Sequence, residues 1–237
     1  MCKKNFINVV FVIDESGSMF GTEGDVIGGF KKVVDEQRAN ENGSCSVSYF
    51  KFASTVEEVF VGKDVNEVEY LAGKYCPGGM TALFDGVGTA IDKVGKWLDS
   101  MDEDDKPEKT MVVIMTDGGE NYSTEYSASK VKEMIKHQEE KYNWTFVYMG
   151  SDITNADDAN TLHFSTRSFS SKKNYFKNYD IINSVVSCYR NTVGDISVKS
   201  AALASALNIE TDSLTEEYAA ANGLDADSLK ADNGTKA

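Results

Sequence analysis

Three apolar runs, each followed by polar residues, predict the inner strands of a buried sheet. Val9–Ile13 is wholly apolar, and the predicted strands Thr110–Asp117 and Thr145–Gly150 are apolar through their middles. Such runs are typical of strands that are buried on both faces in a parallel sheet. The first run is followed at once by Asp14, and the second ends at Asp117. We therefore expect both acids where their strands leave the core.

Between these strands, apolar residues recur at the spacing of amphipathic helices. The predicted helices cover residues 25–40, 82–101, 127–142 and 178–193, with shorter ones at 65–72 and 156–162. Ser46–Ala53 and Thr55–Val61 follow one another almost without a linker, so they are expected to pair as an antiparallel hairpin at a sheet edge. A short last strand is predicted at Leu162–Ser165.

The alternation of strands and helices predicts a doubly wound α/β fold of the Rossmann-like kind. Its sheet is expected to have six mostly parallel strands, one antiparallel edge strand, and helices on both faces. This domain should span residues 1–195. Residues 196–237 read as an acidic, alanine-rich tail that is weakly helical or disordered, because apolar content falls there and acids outnumber lysines.

Charge and composition narrow the classes of partner. The 237 residues carry a formal net charge of −14, which argues against binding to nucleic acid or to an anionic membrane surface. The first apolar strand begins within a few residues of Met1, so no signal peptide is expected. No apolar run approaches membrane-spanning length, so no transmembrane segment is expected either. Four scattered cysteines without a CxxC pair indicate reduced thiols and a cytoplasmic location.

The polar residues at the strand ends have the chemistry of a metal site. Asp14, Ser16 and Ser18 alternate, so one loop can aim three oxygens at a single point. Thr81 follows a glycine pair and opens a predicted helix. Asp117 would lie beside Asp14 if the strand order reverses next to the first strand. Carboxylate and hydroxyl oxygens suit a hard cation such as Mg²⁺.

Together these residues resemble the metal-ion-dependent adhesion site of the von Willebrand factor A-type domain family. The motif Asp14-x-Ser16-x-Ser18, then Thr81, then Asp117 in a Thr-Asp-Gly sequence, occurs in the family's order with all five positions filled. The resemblance covers residues 6–193. The surrounding sequences DESGSM and GGMTALFDG are most similar to stand-alone bacterial and tailed-phage members.

The resemblance implies how the ion would be held. Ser16 and Ser18 would bind it directly, and Thr81 would bind directly or through water. Asp14 and Asp117 would hold the coordinating waters and hydroxyls by hydrogen bonds. The expected ion is Mg²⁺, with Mn²⁺ or Ca²⁺ as substitutes, and a carboxylate of a partner protein would complete its coordination.

Four neighbouring residues are candidates for a rim that selects the partner: Glu15, Met19, Glu120 and Asn121. Each has the alternative interpretation of an ordinary solvated loop residue.

A metal-dependent hydrolase is the competing class of function. The chain has no G-x-S-x-G elbow, no phosphate-binding GxxxxGK[ST] loop, and no histidine near the motif, so we expect no catalytic residue. Two other settings stay open: an accessory subunit of an AAA+ ATPase system, and a phage structural or host-takeover protein acting in the host cytosol. The sequence assigns neither the partner's identity nor an oligomeric state.

Overall fold

One six-stranded sheet organises the chain in the computed structural model, with the strand order β3-β2-β1-β4-β5-β6. The structure describes residues 3–41, 43–71, 74–150, 161–162, 166–169, 179–180, 182–184 and 186–187. The strands are β1 (Lys3–Asp14), β2 (Ser44–Phe52), β3 (Val56–Asp64), β4 (Pro107–Thr116), β5 (Thr145–Gly150) and β6 (Thr166–Phe169).

β1 is the central strand, and the strand order reverses beside it. It pairs in parallel with β2 on one side and with β4 on the other, which brings Ile13 level with Met115. Residues 7–14 are all buried. Their side chains alternate between two cores, with Phe11 in one and Val12 in the other. The continuous apolar run is explained by this burial on both faces.

Helices cover both faces of the sheet. α1 (Glu23–Ala39) packs Phe30 and Val33 into the first core, while α2 (Leu83–Asp99) and α3 (Ala128–Tyr142) line the second. The described parts of residues 179–187 are helical and add Tyr179 and Val186 to the α1 side. The doubly wound α/β fold is therefore confirmed. Within the described residues, no helix is both long and apolar enough to cross a membrane.

The predicted edge hairpin is also confirmed. β2 and β3 are antiparallel, with Phe52 opposite Val56, and β3 lies at one edge of the sheet. The other strand pairs are parallel.

The helix predicted at residues 65–72 is wrong beyond its first turn. A single 3-10 turn, Val65–Glu67, is followed by chain without regular secondary structure as far as residue 71, and residue 72 lies outside the described residues. Val65, Val68 and Leu71 are buried, so their spacing imitates a helix, but they reach the core without one. The side chain of Arg38 donates hydrogen bonds to the carbonyls of Val65 and Val68, which adds donors that a continued helix would supply from its backbone.

The last strand lies later than predicted. Leu162 and the residue before it are helical, and Leu162 is buried on the α2 side of the core. The last strand is β6, which pairs with β5 from Thr166 opposite Val147 to Phe169 opposite Gly150. The rest of the helix predicted at residues 156–162, the remainder of the helix at 178–193, and the tail at 196–237 lie outside the described residues.

Gly29 of α1 faces the ring of Tyr179 so closely that a methyl group in its place would lie 2.0 Å from a ring carbon. We expect Gly29→Ala to destabilise the fold by about 1–3 kcal/mol through overpacking. Gly24, in the same helix, has nothing within 4 Å of that position, so Gly24→Ala should be neutral or stabilising by up to about 1 kcal/mol. Urea unfolding of both variants checks the pair, and equal effects would contradict this packing.

Candidate metal centre

Asp14 joins the ends of two parallel strands. It is the last residue of β1 and is completely buried. Its carboxylate accepts a hydrogen bond from the backbone N–H of Ser16 at 2.7 Å and another from the hydroxyl of Thr116 at 2.6 Å. Because Thr116 is the last residue of β4, this side-chain contact holds the carboxyl ends of β1 and β4 together.

Oxygens from three separate loops converge beside this carboxylate. The hydroxyls of Ser16 and Ser18 lie 3.0 Å apart. A methyl group built on Gly118 would lie 3.0 Å from Oγ of Ser18, 3.2 Å from Oγ1 of Thr81 and 3.8 Å from Oδ2 of Asp14. These three oxygens therefore border one small space, which a side chain at position 118 would crowd. Asp117 precedes it directly in the chain.

The electrostatics of this space favour a cation. Burial raises the pKa of Asp14 to about 6, hydrogen bonds from Thr116 and Ser16 oppose the rise, and the negative charge of Asp117 adds to it. Two acids held this close are costly to ionise together unless a positive charge lies between them. Carboxylate and hydroxyl oxygens without sulfur or imidazole fit Mg²⁺, Mn²⁺ or Ca²⁺.

This donor set differs from a cluster of acids or of imidazole and thiolate groups. Among the residues that the structure describes, no three or more His, Cys, Asp or Glu side chains are grouped to hold a metal ion. Three neutral hydroxyls and two carboxylates make up the candidate centre instead.

The first two loops are tied together through their backbones. The N–H of Gly17 donates to the carbonyl of Gly79 at 3.1 Å, and the N–H of Gly78 donates to the carbonyl of Glu15 at 2.8 Å. Gly79 has a φ of 81°, and a methyl group there would lie 2.7 Å from the hydroxyl of Ser54. Glycine is therefore required at position 79 for the turn that presents Thr81.

The second and third loops are joined by Asn121. Its side-chain carbonyl accepts from the N–H of Thr81 at 2.9 Å, and its own N–H donates to the carbonyl of Thr81 at 3.0 Å. The buried Asp85 secures the rest of the third loop, because its carboxylate accepts hydrogen bonds at 2.8–2.9 Å from three successive N–H groups of that loop: Thr124, Glu125 and Tyr126.

The four predicted rim residues do not lie in equivalent places. Met19 is fully buried in the α1 side of the core, so its assignment to the rim was wrong; the adjacent Phe20 is exposed instead. The carboxylate of Glu15 accepts from the N–H of Cys76 and from Lys51 Nζ, which ties the first loop to the second. The carboxylate of Glu120 accepts from the N–H groups at the start of α2 and in its own loop. A role for Glu15, Glu120 or Asn121 in partner selection stays a prediction.

Two positioning residues were not found from the sequence. Thr116 was seen only as part of the Thr-Asp-Gly motif, yet its hydroxyl is a direct partner of Asp14. Tyr75 is buried and donates from its hydroxyl to the backbone carbonyl of Asp14 at 2.6 Å. No local pattern pointed to Tyr75, because the contact spans 61 positions of the chain.

Comparison with known proteins places the chain among domains of one type. The sequence model of the von Willebrand factor type A domain matches residues 8–185. No curated protein sequence matches the chain.

Among solved structures, proximal thread matrix protein 1 from the mussel byssus is 19% identical with a TM-score of 0.56, covering 76% of this chain and 46% of that protein. A second structure of that protein, described as having a zinc-occupied MIDAS motif, is 18% identical with a TM-score of 0.53, covering 75% and 45%.

The von Willebrand domain of the type V pili tip protein Mfa5 from Porphyromonas gingivalis is 12% identical with a TM-score of 0.55, covering 80% of this chain and 97% of that one. These likenesses show the shared fold. The chain spans less than half the length of the mussel protein that it matches.

The raised pKa of Asp14 predicts how stability depends on pH in the metal-free protein. The carboxyl has its ordinary pKa of 3.8 in the unfolded chain and a pKa of about 6 in the folded one, so the folded chain binds this proton more tightly. Stability from this group should therefore fall by up to about 3 kcal/mol as the pH rises from about 4 to about 6, and stay at the lower level above that.

Unfolding of the wild type and of Asp14→Asn in EDTA, between pH 4 and 7, measures this component as the difference between them. Asp35→Asn is the control, because the hydrogen bond from Lys31 lowers the pKa of Asp35 below its ordinary 3.8, so the wild-type minus Asp35→Asn difference should stay nearly constant over this range. A wild-type minus Asp14→Asn difference that is constant over this range would contradict the burial of an ionisable Asp14.

Proposed function

Because the chain belongs to the von Willebrand factor type A domain family, we propose that it is a divalent-metal-dependent protein-binding module and not an enzyme. The observation that carries the proposal is the convergence of the Ser18 and Thr81 hydroxyls and the buried Asp14 carboxylate on the space beside Gly118. Three loops that are far apart in sequence contribute to it.

Each residue has a role that follows from its position. Ser16, Ser18 and Thr81 would hold the ion through neutral hydroxyls. Asp14 and Asp117 would orient those hydroxyls and bound waters, and Asp14 already accepts hydrogen bonds from the N–H of Ser16 and the hydroxyl of Thr116. When bound, Mg²⁺ would supply a positive site for the carboxylate of a partner protein. The zinc described for the mussel protein is also a divalent ion. The oxygen-only donor set of this chain favours Mg²⁺.

A hydrolase is less well supported by the contacts of the serines. The Ser16 hydroxyl lies within hydrogen-bond distance of the Ser18 hydroxyl, and the carboxylate of Asp14 accepts a hydrogen bond from the N–H of Ser16. In the described part of the chain, His137 lies on α3 with its ring against Tyr142. A nucleophilic serine needs a base within hydrogen-bond reach, and the contact between these two hydroxyls does not supply one.

A cytoplasmic setting is part of the proposal. The four cysteines are scattered in the sequence without a CxxC pair, the pattern expected of reduced thiols in such a compartment. A partner within an AAA+ ATPase system or a phage assembly would suit a module of this kind. The identity of the captured partner would distinguish these two settings.

Mg²⁺ should stabilise the wild type against thermal unfolding, by about 2.7 kcal/mol when its concentration is a hundred times the Kd. Ser18→Ala removes a proposed ligand, and Thr116→Val removes the hydroxyl that orients Asp14. Each should weaken Mg²⁺ binding by at least about tenfold. Ser100→Ala is the matched control, because that hydroxyl only caps the end of α2 through the carbonyl of Trp97.

Calorimetric titration with Mg²⁺, Mn²⁺ and Ca²⁺ reads the affinities directly. The metal site would be refuted if none of the three ions bound the wild type, or if Ser18→Ala bound them as the wild type does.

Partner binding should need the same site. We expect capture from host lysate in Mg²⁺ to recover proteins that are lost in EDTA and with Asp14→Ala. An identical set in all three conditions would contradict metal-dependent recognition. Turnover of generic phosphoesters that Asp117→Ala abolishes would instead support the hydrolase.

A further inference from the structure

Exposed apolar side chains are concentrated on the loops of the candidate metal centre. In the described part of the chain, five large hydrophobic side chains are exposed. Three of them lie on the metal loops: Phe20 is 64% exposed, Met80 46% and Tyr122 48%. One comes from each loop.

Each of these three side chains lies close in sequence to a residue of the centre. Phe20 is two positions after Ser18, and Met80 directly precedes Thr81. Tyr122 directly follows Asn121, the residue whose side chain binds the backbone of Thr81. Adjacent Cα atoms are about 3.8 Å apart, so the Cα atom of each of the three lies within about 8 Å of that of Ser18, Thr81 or Asn121.

The backbone under these side chains is anchored. The N–H of Phe20 donates to Gly17, that of Met80 to the hydroxyl of Ser54, and that of Tyr122 to the carboxylate of Glu120, at 2.8–3.3 Å. The three exposed side chains are therefore carried by backbone that is hydrogen-bonded within the protein. Exposing large apolar groups in this way gives no gain in folding, and such clusters mark interaction sites.

The charge of the same loops limits what can dock there. Residues 15–22, 76–81 and 117–127 contain four acids and no lysine or arginine. Lys51 reaches them from β2, but it is paired with Glu15 and Glu57 and only 12% exposed. A partner rich in acids would be repelled, both by these loops and by the net charge of −14. The ion is therefore needed to attract a carboxylate.

We propose that Phe20, Met80 and Tyr122, here called the apolar surface, select a partner segment that carries one carboxylate between apolar side chains and no other acid nearby. The inference rests on the proposed metal-dependent binding. The carboxylate would meet the ion, and its apolar neighbours would cover the apolar surface.

The test is selection from a random 12-residue peptide display library on the full chain in Mg²⁺, with elution by EDTA. We expect enrichment of peptides with a single Asp or Glu flanked by apolar residues. Phe20→Ser, Met80→Ser and Tyr122→Ser should each weaken the binding of the selected peptides at least about fivefold, while Mg²⁺ affinity changes less than twofold.

Tyr142→Ser is the matched control, because Tyr142 is 50% exposed but lies at the end of α3 and should leave peptide binding unchanged. Unfolding of each variant confirms that the fold is kept, as expected for exposed positions.

The outcomes separate this inference from the proposed function. Failure of Mg²⁺ to bind, or peptides retained in EDTA, would refute the metal-dependent function and the inference with it. Three results would overturn only the role of the apolar surface. They are Mg²⁺-dependent selection of polar or multiply acidic peptides, no enrichment by the Mg²⁺-loaded chain, and unchanged peptide binding by all three variants. Mg²⁺-dependent self-association that Phe20→Ser abolishes would also overturn it, because the occupant would then be a second copy of the chain.

Discussion

The burial of Asp14 at the end of the central strand is the constraint on which the rest of this molecule depends. A carboxylate in that position cannot be solvated, so its lone pairs are satisfied by the hydroxyl of Thr116 and the N–H of Ser16. Those two contacts join β1, β4 and the first loop at one point. The cost of keeping the group ionised there is also what makes the place suited to a cation. The burial of Asp14 therefore accounts both for the joining of these elements and for the proposed binding of a cation.

The loops around Asp14 are held by one another. Glu15 fastens the first loop to the second, and Asn121 fastens the second to the third. Asp85 uses its buried carboxylate to hold the third loop to the start of α2. The hydroxyls of Ser18 and Thr81 thus lie close together through contacts within the protein. Such preorganisation lowers the ordering cost of binding, because the loops need not be arranged at the moment a partner arrives.

An acidic protein that recognises an acidic group needs a local positive charge at its binding site. Residues 15–22, 76–81 and 117–127 lack lysine and arginine, so a divalent ion would be the source of positive charge there. The same lack of cations would make recognition discriminating: one carboxylate could be held by the ion, whereas further acids would meet only negative charge. The exposed Phe20, Met80 and Tyr122 would then add affinity that does not depend on charge.

The sequence by itself determined the parts of this protein that depend on local pattern. The apolar run before Asp14 predicted a central strand, because a strand covered on both faces has no polar position to spare. The alternation of elements predicted the doubly wound sheet, and the antiparallel hairpin followed from two strand patterns with almost no linker. The end of a parallel strand predicted the place of Asp14, and the family resemblance predicted that Ser16, Ser18 and Thr81 lie beside it.

Tertiary structure decided everything that depends on partners distant in the chain. Val65, Val68 and Leu71 have the spacing of a helix and are buried in the core, but they do not form a helix. The side chain of Arg38 donates hydrogen bonds to the carbonyls of Val65 and Val68. Leu162 is drawn into the core, and the last strand begins only at Thr166. Met19 and Phe20 are adjacent and both apolar, and only packing decides that Met19 is buried while Phe20 faces solvent. Tyr75 and Thr116 reach Asp14 across 61 and 102 positions, distances over which no local pattern carries information.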